Sequence, residues 1–206
     1  MLVSVLLFMI LIINVCDNIM HYFEFVKPVE DILRKKNIDF STMHHSQADK
    51  DVIIDDKFKK IIICGTSLRD FGYSKSDSMN YSKNASDSPK NFSWIKDIKK
   101  PLLGICAGMQ IIGQAFNCMT EENLEIGLID AKFSGFLGIN GIKKVYSLHN
   151  LALKNDAVLV KTFDILAVSE KTDTVQAIRH KSRPIYGVLF HPEVRNKDII
   201  EKFLIH

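Results

Sequence analysis

A cysteine stands between two glycines at the point where a short apolar run gives way to a helical pattern. The segment LLGICAGMQ covers residues 102–110, and Gly104 and Gly108 lie two residues to either side of Cys106. This pattern predicts a strand, a tight turn at Cys106 and a helix, with small neighbours that prevent collisions at the turn. Free amide N–H groups at the start of a helix favour a thiolate, which is the attacking species. Taken alone, the segment fits a nucleophile and a buried, inert cysteine equally well.

A histidine and a glutamate follow the last predicted strand. The segment GVLFHPEVR, residues 187–195, places His191 at a strand end, and Glu193 follows two residues later. In extended backbone, residues i and i+2 point the same way, so this carboxylate can orient or polarise the imidazole. A histidine held in this way is the base that a nucleophilic cysteine needs. Taken alone, a surface His-Pro turn with a solvated glutamate explains the segment better.

The remaining pattern predicts the elements that position these residues. Strand and helix patterns alternate through the first half, with Asp17 or Asn18 capping a helix through DNIMHYFEF and Pro28 beginning a second one. A run of strands follows: EIGLIDAKF, GIKKVYSL, DAVLVKTF, DILAVSE, TVQAIR and PIYGVLF; RNKDIIEKFLI closes the chain as a helix. We expect one α/β domain over residues 1–206. Its doubly wound, mostly parallel sheet is flanked by helices and carries a small antiparallel extension.

Two segments stand outside this alternation. MLVSVLLFMILII has no preceding basic residue and no following cleavage site, and it is too short to span a membrane. MILIIN, from Met9, reads as a buried parallel strand, which we favour over a targeting segment. We therefore expect residues 1–8 to be an extension before the natural start. Residues 73–91 are rich in Ser, Asn, Lys and Asp and predict a solvated loop.

Composition excludes several functions. The chain has 206 residues, 47% of them apolar and 25% charged, and a formal net charge of +3. That charge is too small, and the lysines too scattered, to indicate a nucleic-acid partner. The four cysteines form no CxxC pair and no disulfide scaffold, which favours a cytoplasmic protein with reduced thiols. We expect no metal site, because His44 and His45 read as an exposed turn with no nearby ligands.

Together, the two segments resemble the class I (triad-type) glutamine amidotransferases. The family's G-x-C-x-G-x-Q elbow is complete at residues 104–110, and its F-H-P-E strand end is complete at residues 190–193. The resemblance runs from MILIIN to the last helix and implies the flavodoxin-like fold of that family. The run RHKSRPIYGVLFHPE, residues 179–193, is most similar to the glutaminase chain of the two-chain GMP synthases that archaea have.

The resemblance implies a Cys-His-Glu triad that hydrolyses glutamine to glutamate and ammonia. Cys106 would attack the side-chain carboxamide and form a γ-glutamyl thioester. His191 would transfer protons, and Glu193 would hold His191. Backbone N–H groups of Ala107 and of the loop after the KIIIC strand, at Gly65 or Thr66, would form the oxyanion hole.

The resemblance also implies the residues that hold the substrate. Gln110 follows Cys106 by four residues and shares its helix face. The segment YSLHNLAL, which contains Leu148 and His149, resembles the stretch whose backbone grips the amino-acid end of glutamine. The family's Gly-Gly-x-Pro turn reads CGTSLRD here, so Thr66 replaces the second glycine and joins the candidate substrate-binding residues. This departure suggests an oxyanion loop that is less preorganised, or one that reaches its working form only with a partner bound.

The acceptor of the ammonia is expected on another polypeptide. The chain contains no ATP-pyrophosphatase loop and no P-loop, so the resemblance implies a separate synthetase subunit, such as that of GMP synthase. ATP and Mg²⁺ would be required only there, and the glutaminase step would need no cofactor, membrane or nucleic acid. The basic residues between 179 and 183 fit a docking face and a solvated hairpin turn equally well. A γ-glutamyl hydrolase or peptidase of the same fold, or a catalytically idle binding module, is the alternative.

Overall fold

The structure is a computed structural model that describes residues 9–68 and 90–206. The expectations for residues 1–8, and for residues 73–89 of the predicted loop, lie outside the described residues. Residues 90 and 91 belong to a 3₁₀ turn, Lys90–Lys96, instead of to that loop.

One twisted sheet runs through the described part of the chain. Its strands are β1 Met9–Asn14, β2 Asp39–His44, β3 Phe58–Ile63, β4 Leu102–Ile105, β5 Thr120–Phe136, β6 Ile139–Leu153, β7 Phe163–Ser169, β8 Val175–His180 and β9 Ile185–Val188. Their order is β2-β1-β3-β4-β9-β8-β7-β5-β6. The first five strands in this order pair in parallel, and the other pairs are antiparallel. The expected α/β fold class, with its antiparallel extension, is confirmed.

Helices cover both faces of the parallel strands, and two apolar cores result. The helices are α1 Ile19–His21, α2 Lys27–Lys35, α3 Lys50–Ile54, α4 Ala107–Ala115, α5 Ala157–Thr162 and α6 Asp198–Ile205. Strand β1 shows why its sequence is apolar throughout. Leu11 and Ile13 pack into one core, and Ile10 and Ile12 pack into the other. A parallel strand covered on both faces has no polar side to expose.

The N-terminal helical region differs from the expectation of two helices. Asn18 caps α1 by accepting a hydrogen bond from the N–H of Met20 at 2.8 Å, as expected. A wider π-helical turn, Tyr22–Val26, then joins α1 directly to α2. In an α-helix a proline ring collides with the carbonyl four residues before it. The wider turn ahead of Pro28 relieves that collision, so the helix continues where the proline pattern predicted a new start.

The segment DAVLVKTF was expected to be a strand, and this is wrong, because it forms α5. The carboxylate of Asp156 accepts hydrogen bonds from the N–H groups of Val158 at 2.9 Å and Leu159 at 3.1 Å. This N-cap outweighs the strand preference of the β-branched residues. Leu159 alone is buried in this helix, while Val158 and Val160 are exposed.

The carboxyl ends of the central parallel strands meet at one edge of the sheet. In the register, Ile105 of β4 lies beside Val188 of β9, and Ile63 of β3 lies beside Gly104. The residues that directly follow β3, β4 and β9 therefore share that edge, where open α/β sheets bind ligands. In the described residues, no helix is long and apolar enough to cross a membrane.

Candidate active site

Cys106 occupies a strained turn between β4 and α4. Its backbone has φ 49° and ψ −105°, a conformation that side chains with a Cβ rarely adopt. The N–H of Cys106 donates to the carbonyl of Val188 at 2.7 Å, which fixes the turn to β9. A Cβ at Gly104 would lie 2.5 Å from the Gly108 carbonyl carbon, and one at Gly108 would lie 2.3 Å from the Ile63 oxygen. The expected need for small residues around Cys106 is confirmed.

His191 and Glu193 form a buried pair just after β9. The distance from His191 Nδ1 to Glu193 Oε1 is 2.7 Å, and both side chains are shielded from solvent. The N–H of His191 donates to the Tyr146 carbonyl at 2.8 Å, and its ring packs against Phe25. Burial disfavours the imidazolium, but the Glu193 carboxylate, together with the neighbouring Cys106, outweighs it and holds the pKa of His191 well above its ordinary value.

The structure brings Cys106 and His191 to the same point. A Cβ added to Gly65, in the loop after β3, would lie 2.9 Å from His191 Cε1 and 3.2 Å from Cys106 Cβ. His191 Nε2 makes no hydrogen bond with any described residue. The thiol of Cys106 instead donates to the carbonyl of Leu148 at 3.6 Å. The nucleophile and its base are therefore neighbours, with the thiol hydrogen turned towards β6.

A small cleft opens beside Cys106. It encloses about 20 Å³, roughly the space of one water molecule. The nucleophile, one of the two predicted oxyanion residues and the four predicted substrate-binding residues line it: Cys106, Ala107, Thr66, Gln110, Leu148 and His149. Gly65, His191 and Glu193 are not among the residues that line the cleft, although Gly65 and His191 lie next to Cys106.

The two predicted oxyanion donors both lie next to Cys106. Ala107 is the first residue of α4, so its N–H lies at the helix start, where backbone donors have no partner within the helix. Gly65 follows β3 by two residues, and its carbonyl accepts a hydrogen bond from the Cys16 thiol at 3.5 Å. Their role in stabilising an oxyanion stays a prediction.

The predicted substrate-binding side chains are held by the two antiparallel strands β5 and β6. The amide of Gln110 donates to the carbonyl of Leu151 at 2.9 Å. His149 Nδ1 lies 3.0 Å from the carbonyl oxygen of Asn123, and Nε2 lies 3.3 Å from Glu125 Oε2. The imidazole of His149 is thus committed to β5. Glu125 was not among the predicted residues, although a glutamate within an apolar strand segment was a signal for it.

The expectation of an exposed turn at His44 and His45 is wrong. His45 is buried and His44 is half-buried, with their ring centroids 4.3 Å apart. Asp17 lies close by, with its Oδ1 3.6 Å from His44 Nε2. One ligand atom from each of the three residues falls within 4.8 Å of the others. The sequence missed this grouping because Asp17 and His44 follow two different strands of the sheet.

Two other cysteines and the basic turn play no visible part at the site. Burial raises the pKa of Cys64 well above its ordinary value and that of Cys118 to about 11, so both remain thiols at neutral pH. The basic residues from 179 to 183 lie at the end of β8 and in the turn that leads to β9, at the edge of the sheet opposite the cleft. Arg179 pairs there with Asp164 at 2.8 Å.

The chain matches a family model over most of its length. The family is described as glutamine amidotransferase class-I, and the match covers residues 19–206. A glutamine-hydrolyzing GMP synthase subunit from Methanosphaera stadtmanae is 40% identical over 114 residues, which are 50% of this chain and 59% of that protein. The protein of the same name from Pyrococcus furiosus is 31% identical over 131 residues, 59% of this chain and 68% of that protein. The chain thus spans little more than half the length of the first relatives that it matches.

Solved structures share the fold. A putative GMP synthase subunit protein from Thermoplasma acidophilum superposes with a TM-score of 0.73 at 22% identity, covering 96% of this chain and 92% of that one. A glutamine amidotransferase from Thermotoga maritima gives a TM-score of 0.65 at 19% identity, covering 97% and 81%. At these identities the likeness establishes the architecture alone.

Proposed function

This chain belongs to the class-I glutamine amidotransferase family, and from that premise we propose that it hydrolyses glutamine to glutamate and ammonia at Cys106. The observation that carries the proposal is the meeting of Cys106 and the buried His191–Glu193 pair beside Gly65. This arrangement supplies a nucleophile, a base and a group that orients the base. The carboxyl ends of three neighbouring strands hold the parts in place.

The first half of the reaction forms a thioester. Cys106 Sγ attacks the carboxamide carbon of glutamine while His191 takes the thiol proton at Nε2. The negative oxygen of the tetrahedral intermediate accepts hydrogen bonds from the N–H groups of Ala107 and the Gly65–Thr66 loop. The C–N bond then breaks, and His191 returns the proton to the departing nitrogen, which leaves as ammonia. Glu193 holds Nδ1 and stabilises the imidazolium in between.

The second half restores the thiol. Water enters, His191 removes one of its protons, and the resulting hydroxide attacks the thioester carbon. The C–S bond breaks, glutamate leaves, and Cys106 regains its proton from His191. These two half-reactions require no metal or organic cofactor, and ATP and Mg²⁺ belong to the acceptor reaction.

The narrow cleft implies an adjustment before chemistry. The Cys106 thiol donates to the Leu148 carbonyl, and the cleft has room for about one water molecule. In this proposal, glutamine binding widens the cleft between β6 and the loop at Thr66, and the thiol hydrogen turns from the Leu148 carbonyl towards His191. A partner that favours the open form would raise glutaminase activity.

The acceptor of the ammonia lies on a separate synthetase subunit in this proposal. Our candidate is the ATP-pyrophosphatase subunit of GMP synthase, because the similar proteins are named as subunits of glutamine-hydrolyzing GMP synthase. Transfer to that subunit would require docking on the cleft side of the sheet, because ammonia forms there. The basic turn at residues 179–183 lies at the other edge and is not part of the proposed docking face.

The test is glutamate release from glutamine by the purified chain, alone and with a GMP synthase ATP-pyrophosphatase subunit, XMP and ATP. We expect slow release alone and faster release in the mixture, with neither in Cys106→Ala. Activity without stimulation would keep the glutaminase and reject this partner. Silence in both, with Cys106 unreactive towards a glutamine-analogue affinity label, would favour the idle binding module. Preferential cleavage of other γ-glutamyl compounds would favour the hydrolase.

A further inference from the structure

Glu125 is a buried carboxylate on β5 that takes no part in the reaction above. Its Oε1 accepts hydrogen bonds from the hydroxyls of Ser169 at 2.8 Å and Thr172 at 2.6 Å, and its Oε2 accepts from the Gln176 amide at 2.7 Å. Burial alone would raise the pKa of Glu125, but these bonds and His149 lower it to about 2. A carboxylate with this many donors stays ionised at neutral pH.

The side chain of His149 is also buried, and its imidazole faces the Glu125 carboxylate. Its Nδ1 lies 3.0 Å from the carbonyl oxygen of Asn123, and its Nε2 lies 3.3 Å from Glu125 Oε2. Both oxygens can only accept hydrogen bonds. A neutral imidazole carries one N–H and would leave its other nitrogen lone pair against an oxygen lone pair. The imidazolium donates to both, so the geometry fits a buried imidazolium–carboxylate pair.

A β-bulge creates this arrangement. Strand β5 pairs Glu122 with Leu151 and Glu125 with His149, so β5 has one residue more than β6 between the two pairs. The extra residue lets the Asn123 carbonyl and the Glu125 carboxylate reach the same imidazole. Bulges commonly redirect side chains near functional sites.

His149 lies in one wall of the cleft, whereas Glu125 is not among the residues that line it. At one end of this wall, the Leu148 carbonyl accepts the Cys106 thiol at 3.6 Å. At the other end, the Leu151 carbonyl accepts the Gln110 amide at 2.9 Å. His149 lies between these two contacts. Whatever holds His149 therefore sets the position of the backbone at residues 148–151 relative to the nucleophile.

We propose that Glu125 and His149 are positioning residues for glutamine, acting as a buried ion pair that holds the backbone at residues 148–151 against the cleft. This inference rests on the proposed glutaminase function. Neither side chain touches the reacting atoms, so the pair affects substrate binding more than the chemical step.

The test compares two buried glutamates. Glu125→Gln keeps the size of the side chain and removes its charge, which leaves the His149 imidazolium without a counter-ion. Glu30→Gln is the matched control, since Glu30 is also buried and accepts hydrogen bonds from Tyr22 and Thr42 away from the cleft. We expect Glu125→Gln to raise KM for glutamine by about tenfold or more with kcat nearly unchanged, and Glu30→Gln to leave KM unchanged.

A second readout does not depend on turnover. Nitrogen-15 NMR of histidine-labelled protein should show both nitrogens of His149 protonated at neutral pH in the original chain and one protonated in Glu125→Gln. Hydrogen exchange at residues 148–151 should be faster in Glu125→Gln than in Glu30→Gln.

The two readouts separate the possible failures. A chain with no glutaminase activity but with the imidazolium and exchange changes would overturn the proposed function, and with it the role in positioning glutamine, while supporting the buried ion pair itself. An active chain in which Glu125→Gln has the original KM would overturn the inference. A neutral His149 in the original chain, or unchanged exchange at residues 148–151, would also overturn it.

Discussion

The strained backbone at Cys106 predicts an inversion of the usual order of alanine and glycine. At an ordinary helical position, alanine is more stable than glycine by about 1 kcal/mol. Cys106 has φ 49° and ψ −105°, where any residue with a Cβ carries strain of about 1–3 kcal/mol and glycine carries almost none. Both Cys106→Ala and Cys106→Gly lose the thiol, so their difference isolates the strain.

The net expectation is that Cys106→Gly is more stable than Cys106→Ala by about 1 kcal/mol, since strain of about 2 kcal/mol exceeds the ordinary alanine advantage. In a domain of this size, that difference corresponds to a melting temperature about 2–4 °C higher. Denaturant unfolding followed by circular dichroism measures it, provided that the two variants share one m-value. Both variants should lack glutamine-dependent activity, and Cys106→Ala should remain folded.

The matched control lies in the same helix. Ala115 is buried near the end of α4, and Ala115→Gly should lower stability by about 1 kcal/mol or more. If Cys106→Ala proves more stable than Cys106→Gly by a similar amount, the elbow stores no strain and the reasoning fails. If Cys106→Ala and Cys106→Gly are equally stable, the backbone strain at this position is about 1 kcal/mol, the lower end of the expected range and equal to the ordinary advantage of alanine over glycine.

Three further outcomes test the site and its support. Gly108→Ala should destabilise the protein by about 1–3 kcal/mol in denaturant unfolding, because its Cβ would lie 2.3 Å from the Ile63 oxygen; an unchanged midpoint would contradict the close packing of α4 on β3. His191→Ala should reduce kcat more than Glu193→Ala, because losing the base costs more than losing its orienting group; equal or reversed losses would contradict the assigned roles. The pKa of Glu125, lowered from 4.5 to about 2, contributes stability above pH about 4.5 that is lost as pH falls towards 2, on the order of 3 kcal/mol. Acid titration of unfolding should show a shallower loss in Glu125→Gln, and identical curves would contradict this linkage.

Local signals in the sequence were sufficient for the catalytic candidates. The elbow is one continuous segment of the sequence. The glycines at positions 104 and 108 indicate close backbone contacts around Cys106, and the structure shows these contacts. His191 and Glu193 are two residues apart, but their contact forms in a turn instead of in the extended backbone that the sequence argument assumed. The N–H groups of Val194 and Arg195 donate to the His191 carbonyl in that turn. The sheet then brings the two segments together because β4 and β9 are neighbours.

Signals that depend on distant contacts were missed or misread. Glu125 meets His149 across a bulge whose position the alternation of β5 does not reveal. Segment α5 contains β-branched residues that favour a strand, but it forms a helix because the Asp156 side chain caps its first turn. The helix that continues past Pro28 depends on a single wider turn, which residue preferences do not encode. In each case tertiary or capping interactions outweigh intrinsic propensity.

The register of β4 beside β9 also determines how the site is lost. Ile105 and Val188 are fully buried neighbours in the centre of the sheet, and Cys106 donates directly to the Val188 carbonyl. Amide hydrogens in such central strands exchange only through global unfolding, whereas peripheral segments open locally. The distance between the nucleophile and the base is therefore maintained until the whole domain unfolds. On heating, Cys106 and His191 should move apart only when the entire sheet unfolds. The wall of the cleft that β6 forms can open at a lower temperature without changing the distance between these two residues.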